Sequence, residues 1–296
     1  MKKNGGNGSS SAPLPVGISD ETAFGYPRDF LQNRFVYLVI SPRAGGLSVG
    51  VNLNPVLNCN FNCLYCEVDR AQPARASALD IDRMSFELQA TLELVRNGSL
   101  SRQPRYAGLP EDLLEVRHVA LSGDGEPTLA AGFGEAVQSV THVRTMGHFF
   151  KIVLVTNSTA LDGPQAQDGL RLLTRQDEVW AKLDGGTQEY IARINGATVS
   201  LKKILANILL VARRRPVIIQ SLFPAIHGEP PPAGEIREYA IRLKELKQNG
   251  AEIPLVQIYS ATRPMARAGC THLPLKELSE IARTVRQIAG LRAEVF

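Results

Sequence analysis

The stretch NPVLNCNFNCLYCEV, Asn54–Val68, holds three of the chain's four cysteines within eight positions, with a proline upstream and a tyrosine beside the last thiol. Three thiols cannot all pair with one another as disulfides, so the loop reads as a ligand set. Cys59, Cys63 and Cys66 stand at C-x3-C-x2-C spacing, and thiolates select zinc or iron–sulfur. A structural zinc site would want a fourth ligand nearby, yet the next candidates, His118 and Cys270, lie far along the chain. Three thiolates alone leave one coordination position open, which is what a reacting ligand needs.

The rest of the chain limits what this loop belongs to. With 296 residues, 44% hydrophobic and 21% charged, it is long enough for one large core and has the composition of a globular protein. Its longest apolar runs, such as Val36–Ile40, have strand length rather than the ~20 residues of a membrane span. The opening residues carry two lysines with no apolar segment behind them. Residues 1–25 are therefore expected to form a flexible Gly/Ser/Pro-rich tail and 26–296 a single core domain. So few cysteines, mostly clustered, argue for a reducing compartment, and a cytoplasmic location is expected. The net charge of +4 is mild. The basic run Arg213–Arg215 and the pair Lys202-Lys203 read as a solvated helix end, so nucleic acid is only weakly supported as a partner.

Beyond Tyr26, β-rich runs alternate with helical patterns. LSVGVNLNP (Leu47–Pro55), LEVRHVALSGDG, FFKIVLVTNS, DEVWAKLDG, PVIIQSLFP and IPLVQIYSA are each followed by a segment of helical periodicity. Six such units predict a parallel sheet covered by helices, an α/β fold of partial (β/α)6, three-quarter TIM-type barrel form, with a doubly wound open sheet as the alternative. Either way the site belongs beyond the carboxyl ends of the strands. Polar residues gather there: Cys59, Gly123–Glu126, Asn157, Lys182 and Asp184.

The C-x3-C-x-aromatic-C spacing, the wider stretch SPRAGGLSVGVNLNPVLNCNFNCLYCEVDR and the later LSGDGEPTL together resemble the radical S-adenosylmethionine superfamily. Within it they are similar to the single-domain wyosine-synthase-like branch and, more distantly, to the activating enzymes of glycyl-radical enzymes. The likeness runs from about Tyr37 to Arg263. It implies a [4Fe-4S] cluster on Cys59, Cys63 and Cys66, whose fourth iron chelates S-adenosyl-L-methionine, and an electron donor such as flavodoxin or ferredoxin. It also implies reductive cleavage to a 5′-deoxyadenosyl radical that abstracts hydrogen from a substrate.

On the same resemblance, Gly125 and Glu126 would bind the cofactor's ammonium, against the plainer reading of a β-turn before a helix. Asp124 stands where the family usually has glycine, which leaves the path of that turn open. Asn157 would meet the ribose or the carboxylate, against a helix N-cap. Lys182 would neutralise the carboxylate, against a structural pair with Asp184. Tyr65 would pack near the adenine. Gln220, Ser221, His227 and Arg263 are candidates for the substrate side. A second metal site at Cys270 and His272 is not expected.

One cysteine outside the motif is too few for the auxiliary clusters of peptide maturases, or for the second cluster of true wyosine synthesis on transfer RNA. Three functions stay open: a radical enzyme acting on a small molecule, an activating enzyme for a glycyl-radical protein, and a zinc-stabilised nucleic-acid binder without turnover.

Overall fold

The computed structural model describes residues 33–74, 76–263, 265–266 and 268–296; the expected tail at 1–25 lies outside the described residues. Among these, the main sheet has eight strands in the order β1-β2-β3-β4-β5-β6-β8-β10. β1 (Val36–Ser41) and β2 (Gly46–Asn52) form an antiparallel hairpin. From β2 onward every pairing in the sheet is parallel: β3 (Val116–Ser122), β4 (Lys151–Thr156), β5 (Glu178–Lys182), β6 (Val217–Leu222), β8 (Val256–Tyr259) and β10 (Ala293–Val295). β7 (Ala225–Ile226) and β9 (Cys270–Thr271) make a small separate antiparallel pair.

Helices cover the outside of the sheet: α1 (Ile81–Arg96), α2 (Phe133–Thr145), α3 (Pro164–Leu172), α4 (Gln188–Asn195), α5 (Leu201–Ala212), α6 (Ala233–Gln248) and α7 (Leu275–Ala289). α7 illustrates why these segments are helical. Leu278, Ile281, Ala282, Val285 and Ala289 recur at helical spacing and are the residues it buries. Gly290, at φ 58°, then ends the helix in the left-handed conformation. Asp80, Thr187 and Ser200 cap α1, α4 and α5 by accepting a backbone N–H of the first turn.

The two faces of the sheet differ in chemistry, and this separates a barrel from a doubly wound sheet. Leu47, Val49 and Val51 of β2 and Val119 and Leu121 of β3 point outward into the hydrophobic core beneath the helices. The alternate residues, Ser48 of β2, His118, Ala120 and Ser122 of β3, Trp180 and Lys182 of β5, and Gln220 of β6, line an interior cavity. A sheet with helices on both faces would be apolar on both. The turn of the first hairpin also reaches the far side of the sheet. Arg43, in the turn between β1 and β2, places its guanidinium carbon 4.0 Å from the ring centroid of Tyr259 on β8.

The architecture is the expected partial barrel with additions. β10 and the β1 hairpin widen the sheet, and α4 stands where a plain connection was expected. β10 is three residues long and α4 eight, both too short for a periodic pattern to declare itself. No helix among the described residues is long and apolar enough to cross a membrane.

Candidate functional site

At the carboxyl ends of the strands lies a cavity of about 290 Å³. Its wall contains Cys59, Cys63, Cys66, Tyr65, Gly125, Glu126, Asn157 and Lys182, so all eight residues assigned a metal or cofactor role from the sequence meet there. They arrive from the loop after β2, the turn after β3, the end of β4 and the end of β5.

The cysteine loop is held mostly by asparagines and main chain. Asn52, at the end of β2, accepts the N–H of Asn54 at 3.1 Å and that of Asp124 at 3.1 Å, and its Nδ2 donates to Asp124 Oδ2 at 2.6 Å. Asn54 Nδ2 donates to the Glu126 carbonyl at 3.0 Å, and the Glu126 N–H donates to the Asn58 carbonyl at 3.0 Å. These bonds settle the path of the Asp124 turn by lashing it to the start of the cysteine loop. Gly123 must be glycine here, at φ 132°, because a Cβ would come within 2.1 Å of Asn52 Oδ1. Further along, the N–H groups of Asn62 and Leu64 donate to the carbonyls of Asn195 and Ile194 at the end of α4, at 2.7 and 2.8 Å. Arg70 grips the Phe61 carbonyl at 2.5 Å.

The three thiols form no disulfide and are partly buried. Two side-chain amides approach them: Asn195 Nδ2 lies 3.3 Å from Cys63 Sγ, and Asn157 Nδ2 lies 3.9 Å from Cys59 Sγ. Burial pushes the Cys63 thiol up to about 11, with the nearby Asp184 charge adding to the effect, and burial also raises Cys59. A bound cation would reverse this, since it favours the thiolate. Among the described residues no group of three Cys, His, Asp or Glu side chains is gathered as a single ion would need. A four-iron cluster makes a different demand, one thiolate on each of three corners. Three thiols on one cavity wall, with amide donors reaching two of their sulfurs, fit such a cluster.

Glu126 is buried and accepts four hydrogen bonds, three of them on one oxygen. Its Oε1 accepts from the Thr128 N–H at 3.2 Å, the Thr128 hydroxyl at 2.6 Å and the Thr156 hydroxyl at 2.6 Å, and its Oε2 accepts the Asn157 N–H at 2.7 Å. Burial raises its carboxyl above the ordinary value while those donors pull it back. The side chain thus joins the turn after β3 to the end of β4, and it lines the cavity. Asn157 does not cap a helix. Its Oδ1 accepts from the Thr159 N–H and hydroxyl, and its Nδ2 donates to Asn60 Oδ1 at 2.8 Å.

Lys182 and Asp184 form the ion pair foreseen as the plainer alternative, Nζ to Oδ1 3.5 Å, yet the ammonium still lines the cavity beside the rings of Tyr65 and Tyr259. Burial draws the ammonium down, but Asp184 and Tyr259 outweigh it and hold the lysine protonated above its usual range. Asp184 also accepts from the Tyr65 hydroxyl, from Asn195 Nδ2 at 2.8 Å and from the Leu222 N–H at 2.9 Å. The Tyr65 phenol is therefore anchored by a carboxylate, and burial and that charge raise it well above its ordinary value.

The substrate-side candidates divide. Gln220 and Arg263 line the cavity, Arg263 pairing with Glu67 at 3.4 Å. Ser221 is buried elsewhere, donating to the Leu183 carbonyl at 2.6 Å, and His227 is exposed in a turn at φ 51°. His272 is exposed, and Cys270 packs against Met265. The basic run is occupied by the fold: Arg213 donates to the Asn249 carbonyl and Arg215 to those of Thr174 and Asp177. Asn195, Arg43 and Tyr259 were missed, because no local pattern marks a residue whose partners lie on distant strands.

No protein-family model matches the chain. It is 30% identical over 177 residues to a UPF0026 protein of Synechocystis sp., covering 58% of this chain and 57% of that relative. A UPF0026 protein of Helicobacter pylori is 27% identical over 139 residues, covering 46% of this chain and 39% of the relative. The chain thus spans about half the length of the curated relatives it matches. Among solved structures, TYW1 with a lysine-pyruvate adduct bound superposes with a TM-score of 0.54 at 16% identity, covering 86% of this chain and 84% of that one. A cysteine-to-serine mutant of spore photoproduct lyase superposes with a TM-score of 0.52 at 12% identity, covering 81% and 74%. Both are radical S-adenosylmethionine superfamily proteins, and at these identities the likeness is one of fold.

Proposed function

We propose that the chain is a radical S-adenosylmethionine enzyme. The observation that carries this is the convergence of the three motif cysteines with Tyr65, Gly125, Glu126, Asn157 and Lys182 on one cavity, in the fold of that superfamily. Cys59, Cys63 and Cys66 would hold a [4Fe-4S] cluster, with Asn157 and Asn195 supplying amide donors to two of the sulfurs. When bound, the cluster supplies the electron that cleaves S-adenosyl-L-methionine to methionine and a 5′-deoxyadenosyl radical, which takes hydrogen from a substrate.

The chain's own groups bind and orient. Lys182, kept charged by Asp184, offers an ammonium to the cofactor's carboxylate. Glu126 ties the turn that carries Gly125 to the end of β4, and both residues line the cavity where the cofactor's ammonium would sit. Tyr37, Trp180 and Leu222 line the walls and limit water near the reacting centre. The electron would come from a flavodoxin- or ferredoxin-like donor, and the substrate is a small molecule or a protein segment.

The test is anaerobic reconstitution with iron and sulfide. The expected result is a brown protein that forms 5′-deoxyadenosine from S-adenosyl-L-methionine and a strong reductant. A protein that instead holds zinc tightly and forms no 5′-deoxyadenosine would end this reading.

A further inference from the structure

Charge around the cavity is unevenly paired. Lys182 faces Asp184, Arg263 faces Glu67, and the Glu126 carboxylate is met by four N–H and O–H donors. Arg43 is different. It lines the cavity, its guanidinium carbon sits 4.0 Å from the centre of the Tyr259 ring, and its Nε is buried with no hydrogen-bond partner among the described residues. The aromatic face partly compensates the charge but accepts no in-plane hydrogen bond. A guanidinium presents its donors as a planar fork that matches a carboxylate or a phosphate, and leaving the buried Nε donor dry is costly. The neighbouring ring adds no competing charge, because burial drives the His118 imidazole down to about 3 and keeps it neutral. His118 instead bonds Ser48 Oγ through Nε2 at 2.8 Å.

We propose that Arg43 is the anchor of an anionic substrate, binding its carboxylate or phosphate group inside the barrel beside Tyr259, with Arg263, which lines the same cavity, as the second cation. This rests on the radical-enzyme reading above and narrows its substrate class to an anion. It also assigns a purpose to the β1 hairpin, which carries Arg43 across the open side of the sheet to β8.

The experiment titrates the reconstituted protein, with S-adenosyl-L-methionine present, by calorimetry. Inorganic phosphate and succinate are the two anion arms and glycerol is the neutral control. Saturable binding of one anion is expected, with phosphate or succinate telling which group the site takes. Arg43→Gln should weaken that binding about tenfold or more, and Arg43→Lys, which keeps the charge but not the fork, by less. S-adenosyl-L-methionine affinity should stay within about twofold in both variants while Lys182→Met lowers it.

Absence of saturable anion binding, or equal binding by wild type and Arg43→Gln, would overturn the proposal. So would a parallel loss of S-adenosyl-L-methionine affinity, which would place Arg43 on the cofactor. If Arg43→Gln does not fold, Arg43→Lys decides, and wild-type anion affinity in that variant counts against the site. Formation of 5′-deoxyadenosine by the wild type is scored separately. Its failure alongside Arg43-dependent anion binding would sink the radical reading and leave the anion site standing.

Discussion

Glu126 Oε2 accepts the backbone N–H of Asn157 at 2.7 Å, joining the turn after β3 to the end of β4 inside the wall of the cavity. Because the same carboxylate also takes two hydroxyls and a second backbone N–H, replacing it strands several buried donors at once. Glu126→Ala is expected to lower stability by about 2–4 kcal/mol and to weaken S-adenosyl-L-methionine binding while the cluster still assembles. Thr156→Val, which removes one hydroxyl donor, should cost about 1 kcal/mol. Urea denaturation of both variants checks this; a Glu126→Ala protein as stable as the wild type would show that the carboxylate holds nothing together.

The ligand set makes a sharper demand. Cys59→Ala, Cys63→Ala and Cys66→Ala should each fail to retain a cluster on reconstitution. Cys270→Ala should keep the full iron content, since Cys270 packs on β9 against Met265. Asn195→Ala, which deletes the amide 3.3 Å from Cys63 Sγ, should assemble the cluster but at a lower midpoint potential. A donor near sulfur stabilises the added electron. Iron analysis and an anaerobic redox titration followed by electron paramagnetic resonance read both effects. Loss of iron in Cys270→Ala would mean the ligand set is wrong.

What the sequence made visible was whatever is written locally. The cysteine spacing, the glycines before Glu126 and the polar residues that end each strand are neighbours in the chain, so their convergence follows once the strands are parallel. The strand–helix alternation gave that parallel order. What it could not show are contacts made across the sheet. Asn195 reaches Cys63 and Asp184 from the last residue of a two-turn helix, and Arg43 reaches Tyr259 from a hairpin whose first strand reads only as a short apolar run. Glu126 was visible as a charge at the right place. That its oxygens are taken up by Thr128, Thr156 and Asn157 depends on the depth at which two strand ends meet.

His118 gives a pH dependence with a defined sign. Burial lowers its imidazole from 6.5 to about 3, so between those values the unfolded chain binds a proton that the folded chain refuses. Stability should therefore fall as pH drops below about 6.5, by at most ~1.4 kcal/mol per pH unit from this group. His118→Gln keeps a side-chain amide for Ser48 and removes the titration, so its stability should decline less steeply than the wild type's from pH 7 to pH 5. Denaturant melts at pH 7, 6 and 5 measure the difference in slope, and identical slopes would mean that His118 charges freely in the folded protein.

Gly50 and Tyr37 test how the inner wall of the barrel is built. Paired across the β1 hairpin, they are so close that a Cβ on Gly50 would lie 2.1 Å from Tyr37 Cζ. The ring therefore lies over the glycine, lines the cavity, and places its hydroxyl 2.8 Å from Ser122 Oγ. Gly50→Ala has to displace that ring and should cost about 1–3 kcal/mol. Tyr37→Ala removes the obstacle as well as the wall. The double variant should then be more stable than the two single losses added together, by about 1 kcal/mol or more. Strict additivity in a double-mutant cycle would show that the ring does not rest on Gly50. Coupling would establish that the absence of one side chain on β2 is what seats Tyr37 against the reacting space.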